Sequence, residues 1–276
     1  MLDALHYGFI QNAIIAGLLA SIACGIVGVY VVVKRIIFIS GGIAHASFGG
    51  IGLGYLLGFS PVLGALMFSL GSALGIGYIN RQTKLTEDTA IGILWAMGMS
   101  LGIVFIGLAP GYAPDLFSYL FGNILTVPTS DIILMAVMDA AILIIVIALW
   151  KEFRAVTFDE EYSTVLGLKT GLLYLLLLAM IALTVVILLR IVGMILIIAL
   201  LSIPAALARQ FTYDLKRTML LAVGFGIVFS LGGLWISYEL DLASGATIVL
   251  FGGVTLFAVT GVKRLMQRRR RKAEAG

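Results

Sequence analysis

The chain holds two histidines, and one of them, His45, lies in an apolar run among small residues (SGGIAHASFGGIGLG, 40–54). It falls about nine residues into that run, so about 14 Å deep at 1.5 Å per residue, near the middle of a hydrocarbon layer. Imidazole suits zinc and other first-row divalent metals. Ionisable groups at such depth are costly and usually functional. A place on an ion pathway therefore competes with the plainer role of a packed ring bonded to a neighbouring carbonyl. Asp139 lies about eight residues into another run, about 12 Å deep. A carboxylate–imidazole pair would make a transient ligand set for a divalent cation; bonding to a neighbouring helix is the alternative role. Glu87 and Asp88 open a third run behind Thr86. Acids in a first turn complement the helix dipole and Thr86 suits an N-cap, so capping stands beside an exit-side cation site. Glu239 and Asp241, between the last two runs, could attract a cation or the basic rim of a partner, or form a solvated turn.

The elements that position these groups follow from composition. Of 276 residues, 61% are hydrophobic and 12% charged, against about 25% charged in soluble domains. Such a chain cannot cover an ordinary water-facing surface. Nine apolar runs emerge, at 9–33, 36–58, 62–79, 89–109, 131–150, 172–189, 191–208, 218–238 and 245–262. The runs reach the length needed to cross a core about 30 Å thick. The weakest break is Arg190 with Gly193; without it one run would reach about 36 residues, too long for a single crossing. No polar linker divides residues 1–276, which read as a single transmembrane domain. With the C-terminus inside and nine alternating spans, 17 of the 18 Lys and Arg fall on the cytoplasmic side; only Arg190 does not. That sorting follows the positive-inside rule and predicts an all-α integral membrane protein, N-out/C-in. The basic residues sit at span ends, so the net charge of +4 is a topology signal and implies no nucleic acid. The run 268–272 reads as a cytoplasmic anchor. Cys24 is solitary, which excludes an intramolecular disulfide, and the N-terminus lacks the basic region of a cleaved signal peptide.

Two further segments depart from a generic bundle. The external stretch 110–130 has three prolines and amphipathic character, and suggests a re-entrant or surface-lying helix. The cytoplasmic stretch 151–170 predicts a short helix over 158–168, with Tyr162, Val165 and Leu166 near one face and Gly167 as C-cap. A short helix there offers a docking surface for a soluble partner.

Six segments then carry a family resemblance: GGIAHAS (41–47), KLTEDTAIGIL (84–94), SYLFGNIL (118–125), FDEEYSTVLGL (158–168), VGMILIIALLSIPAALAR (192–209) and SYELDLASGATIVL (237–250). Together they resemble, in order and over nearly the whole chain, the permease subunits of metal-ion ABC importers of the zinc and manganese type. The acidic segment ending in LGL is also similar to the coupling helix of vitamin B12-type ABC importer permeases, which implies a related fold. The resemblance implies a prokaryotic plasma-membrane permease working as a homodimer. A cytoplasmic ATPase dimer would dock at Asp159, Glu160, Glu161 and Gly167, and an external metal-binding protein would deliver the ion. It also implies a metal path at His45, to which Asp139, Glu87 and Asp88 are added from their placement. No permanent cofactor is expected; the metal is substrate, with zinc favoured by the histidine and manganese or iron as alternatives. Two positions depart from the family pattern. Gly41 stands where many members carry aspartate, four residues before the histidine, and Ala243 replaces a common proline.

No GxxxxGK[ST] phosphate loop, HExxH or GxSxG motif occurs, so ATP hydrolysis is expected on another chain. A self-contained secondary metal transporter would need several intramembrane acids for coupling, and only Asp139 offers itself. A non-transporting assembly subunit would leave His45 unexplained. The charge map makes a direct prediction. A cysteine replacing Tyr112 is labelled from outside by an impermeant thiol reagent, and one replacing Thr164 only after permeabilisation; the opposite pattern refutes the orientation.

Overall fold

The computed structural model describes residues 7–83, 85–110 and 116–274. A bilayer core offers no water to backbone polar groups, so a chain this apolar must satisfy them internally. Among the described residues it does so with helices: α1 (Gly8–Lys34), α2 (Ile37–Leu57), α3 (Pro61–Gln82), α4 (Glu87–Leu108), the short α5 (Leu116–Phe121), α6 (Thr129–Ala148), α7 (Trp150–Phe158), α8 (Glu160–Val165), α9 (Thr170–Arg209), α10 (Leu215–Leu240) and α11 (Ser244–Glu274). Their ends carry the expected local chemistry. Pro61 opens α3, where its missing N–H costs nothing. The side chain of Asp214 accepts from the amide of Arg217 at 2.8 Å and caps α10.

Eight of these helices are long and apolar enough to cross a membrane, one fewer than the nine expected runs. The difference lies in α9. Forty residues of continuous helix would extend about 60 Å, twice the hydrocarbon thickness. Gly193, however, has φ 72° and ψ 163°, outside helical space. Contacts on either side show what this break does. Near Thr170, the hydroxyl of Tyr174 donates to Glu87 at 3.4 Å, at the start of α4. Arg190 pairs with Asp131 at 2.8 Å, at the start of α6. Beyond Arg209, Gln210 donates to Thr260 at 2.6 Å and its carbonyl accepts from Lys263, near the far end of α11. Both termini of α9 therefore lie at one end of the bundle and Arg190 at the other. The chain reverses at Gly193 and makes nine passages.

The reversal is held by the stretch 116–126. Gly122, at φ 73°, lies against Val192 and Gly193, and a Cβ on either glycine would collide with the backbone opposite. The amide of Asn123 donates to the Arg190 carbonyl at 3.3 Å, and the Arg190 guanidinium lies 5.0 Å from the Tyr119 ring centre. The stretch thus contains the short α5 and a 3-10 turn (Ile124–Thr126). Residues 111–115 of the expected surface helix lie outside the described residues.

Helix α9 is the hub: α1, α2, α3, α10 and α11 all pack on it. Helix α2 is also enclosed by α3 and α4, whereas α1 is flanked by α6 and α10. Inside the layer the hydroxyls of Ser40, Ser47, Thr184, Ser202 and Thr255 donate to carbonyls three or four residues back on their own helices. Charge is divided between the ends. Lys34, Arg81 and Lys263 gather at the end that holds α7 and α8, with Lys216 beside Trp150. Arg190 lies at the other end.

Gly193→Ala should destabilise the protein by at least about 2 kcal/mol, because it adds backbone strain to a collision. Thermal unfolding in detergent reads this directly. Gly253→Ala is the control, since its methyl would approach only Ile203 at 4.0 Å. Equal melting of the two variants would contradict the reversal.

Candidate metal path and docking surface

His45 is held midway along α2, half-buried, with its ring stacked on Trp95 of α4. The ring centres are 4.0 Å apart and the planes differ by 9°. Its Nδ1 is buried and has no hydrogen-bond partner. One turn earlier on the same face, Gly41 packs closely against Ile198 of α9; a Cβ there would collide with that side chain and lie 3.8 Å from the Trp95 ring. Trp95 and Ile198 thus fill the space beside Gly41, one turn before His45. Trp95 carried no signal in the sequence, since a single aromatic in an apolar span reads as packing.

An open groove of about 350 Å³, lined by Phe38, Asp88, Ile91, Gly92 and Trp95, runs along α4 from its acidic first turn to the ring that covers His45. Asp88 also borders a recess with Lys34, Arg35 and Glu87. Glu87 is engaged by Tyr174, and the Thr86 hydroxyl accepts from the Thr89 amide at 3.3 Å, so the predicted cap forms. The structure therefore separates the two acids: Glu87 is tied into the bundle, and Asp88 faces the groove.

Asp139 is not brought to His45. It lies on α6, which packs on α1 and α9, on the side towards Cys24 of α1. It is 3% exposed, and neither carboxylate oxygen has a hydrogen-bond partner. Among the described residues no three His, Cys, Asp or Glu side chains gather as a metal cluster.

The docking stretch differs from its expected form in one respect: it is two helices, broken at Asp159. Asp159 turns extended, and its Oδ1 accepts from the Tyr162 amide at 2.8 Å, so this acid caps α8. Gly167 closes α8 as expected. Its φ of 83° lets the amides of Gly167 and Leu168 reach the carbonyls of Thr164 and Ser163 at 3.0 and 3.1 Å, a Schellman closure. Glu161 is exposed, whereas Glu160, its side chain 41% exposed, pairs with Lys34 at 2.9 Å and Arg81 at 3.5 Å. The outward face consists of Phe158, Tyr162, Val165 and Leu166. Between α7 and α8 lies an open groove of about 410 Å³, with Lys151 and Arg154 along one side.

Comparison with known proteins gives this bundle a place. The model of the ABC 3 transport family matches residues 6–263. The chain belongs to the ABC 3 transport family. A Synechocystis sp. relative, described as an uncharacterized membrane protein, is 49% identical over 264 residues, 96% of this chain and 94% of its own. The manganese transport system membrane protein MntC of Listeria innocua is 34% identical over 253 residues, 92% of this chain and 90% of its own. Among solved structures, PsaBC from Streptococcus pneumoniae in complex with Fab superposes at TM-score 0.84 with 34% identity, covering 93% of each chain. As an ABC 3 family member the chain is a multi-pass permease of a bacterial metal transporter in the cell membrane, and ATP hydrolysis resides on a separate subunit.

Asp159→Ala tests the local reading of α8. Losing the cap should cost about 1 kcal/mol and speed amide exchange at Tyr162 about fivefold. Unchanged exchange would show that the helix holds without its cap.

Proposed function

We propose that this permease imports a divalent first-row transition metal past His45, and that the ion is manganese. The observation that carries the path is the imidazole stacked on Trp95 at the head of a groove whose far end is Asp88. The buried Nδ1 and half-buried ring give one nitrogen-ligand position within the layer, with a hard carboxylate at the exit. Manganese accepts such a mixture of imidazole and oxygen ligands. A single strong ligand holds an ion briefly, as a conductor must. Glu87 contributes by fixing the start of α4, and Asp139 lies off this route.

Manganese is favoured over the zinc suggested by histidine alone because MntC and other relatives are named for manganese. Zinc remains the second reading, since imidazole is also its preferred ligand. The basic end of the bundle is assigned to the cytoplasm by the positive-inside rule, which places Asp131, Arg190 and Ser244 outside. The assembly has two copies of this chain, two ATPases docked on the apolar face of α7 and α8, and an external protein that delivers the ion.

Uptake of radioactive manganese by cells carrying variants of the intact transporter tests the path. His45→Ala should lower uptake at least about tenfold, about 1.4 kcal/mol, while the ATPase still co-purifies. His45→Asn separates coordination from packing: it should fail nearly as badly as Ala if the ring nitrogen is a ligand. Competition by zinc against manganese then orders the two ions. Normal uptake by His45→Ala would remove His45 from the path and leave family membership intact.

A further inference from the structure

The acidic start of α8 reads, from sequence, as part of the surface offered to the ATPase. The structure gives Glu160 another task. Its carboxylate meets Lys34, the last residue of α1, at 2.9 Å and Arg81, in the last turn of α3, at 3.5 Å. Lys34 is only 12% exposed in its side chain and also donates to the Val156 carbonyl of α7 at 3.2 Å. The Arg81 guanidinium lies 5.5 Å from the ring centre of Tyr174, in the first turn of α9. Asn80 donates to the Tyr174 hydroxyl at 3.4 Å, and that hydroxyl donates to Glu87 of α4. One recess of about 310 Å³ therefore brings together Lys34, Asn80, Arg81, Glu87, Glu160 and Tyr174 from five helices.

We propose that Glu160 is a positioning residue, the joint through which movement of α8 reaches the walls of the His45 path. This rests on the reading of α8 as the ATPase-docking element. Helix α2 begins just after Lys34, across Arg35 and Ile36, and the Ile36 amide is tied back to Val31 at 3.0 Å. Such a short, bonded link passes displacement of the end of α1 into the helix that bears His45. Helix α4, which bears Trp95, enters the same recess through Glu87. The exposed neighbours are unlike Glu160: Glu161 has no polar partner among the described residues, and Tyr162, Val165 and Leu166 point outward. Contact with the ATPase and transmission into the bundle thus fall to different residues of one short helix. A mostly buried ammonium stripped of its carboxylate is costly, so the joint does not slip freely.

The test measures ions moved per ATP hydrolysed by the whole transporter in proteoliposomes, beside co-purification of the ATPase. Glu160→Gln should leave the ATPase bound and hydrolysing but lower the ratio at least about fivefold. Lys34→Met should do the same, and the double variant should lose no more than the worse single one, as expected for residues acting as a unit. A normal ratio in Glu160→Gln, or losses that multiply in the double variant, overturns the joint. Release of the ATPase by Glu160→Gln also overturns it, in favour of direct contact. Val165→Asp examines docking separately; if the ATPase stays bound to that variant, the docking reading fails and the joint loses its input.

Discussion

At the end of the bundle away from α8, the backbones of Gly122 and Gly193 lie so close that neither position has room for a Cβ. The rest of the architecture depends on that contact. It allows forty residues of nearly unbroken apolar chain to turn back instead of overrunning the bilayer. The turn keeps both ends of α9 at the charged end, where Tyr174 joins the Glu87 cluster and Gln210 meets α11. Every neighbour of α9, including the helix that carries His45, is aligned by this hub. The Arg190–Asp131 pair and the Tyr119 ring brace the same turn, which gives the one outlying arginine a structural reason to be there.

Much of this was legible in the sequence, for reasons of differing strength. The spans were plain because hydrocarbon allows a polar backbone so few solutions. Their alternation was plain because Lys and Arg are distributed with so little mixing. The reversal near Gly193 could be inferred only from length, since a glycine in an apolar run has no distinctive pattern. Asp159 and Gly167 bracket α8 as their chemistry suggests, although the helix is shorter than 158–168 and is preceded by α7. What sequence could not supply was direction. An acidic cluster at a water-facing segment reads as surface, yet Glu160 pairs with Lys34 and Arg81 while Glu161 faces out. Trp95 was invisible for the converse reason: it is apolar enough to belong anywhere in α4. Asp139 and His45 share a depth, and depth says nothing about azimuth.

The environment of His45 fits the departure at Gly41. Ile198 packs against that glycine and Trp95 lies across the imidazole, so apolar side chains fill the space one turn before His45. The groove along α4 runs from Trp95 to Asp88.

The self-bonded hydroxyls have a mechanical consequence. Within the apolar layer, Ser40, Ser47, Thr184, Ser202 and Thr255 spend their protons on their own helices, and the contact of Ser21 with Ser230 at 3.3 Å is a rare polar bridge between spans there. The directional bonds between helices are concentrated at the two ends. Between those ends the helices meet through packing, and close approaches such as Gly50 with Gly64 and Gly98 with Ala46 set their registration. The molecule is bonded at its faces and held in register by small residues in its middle.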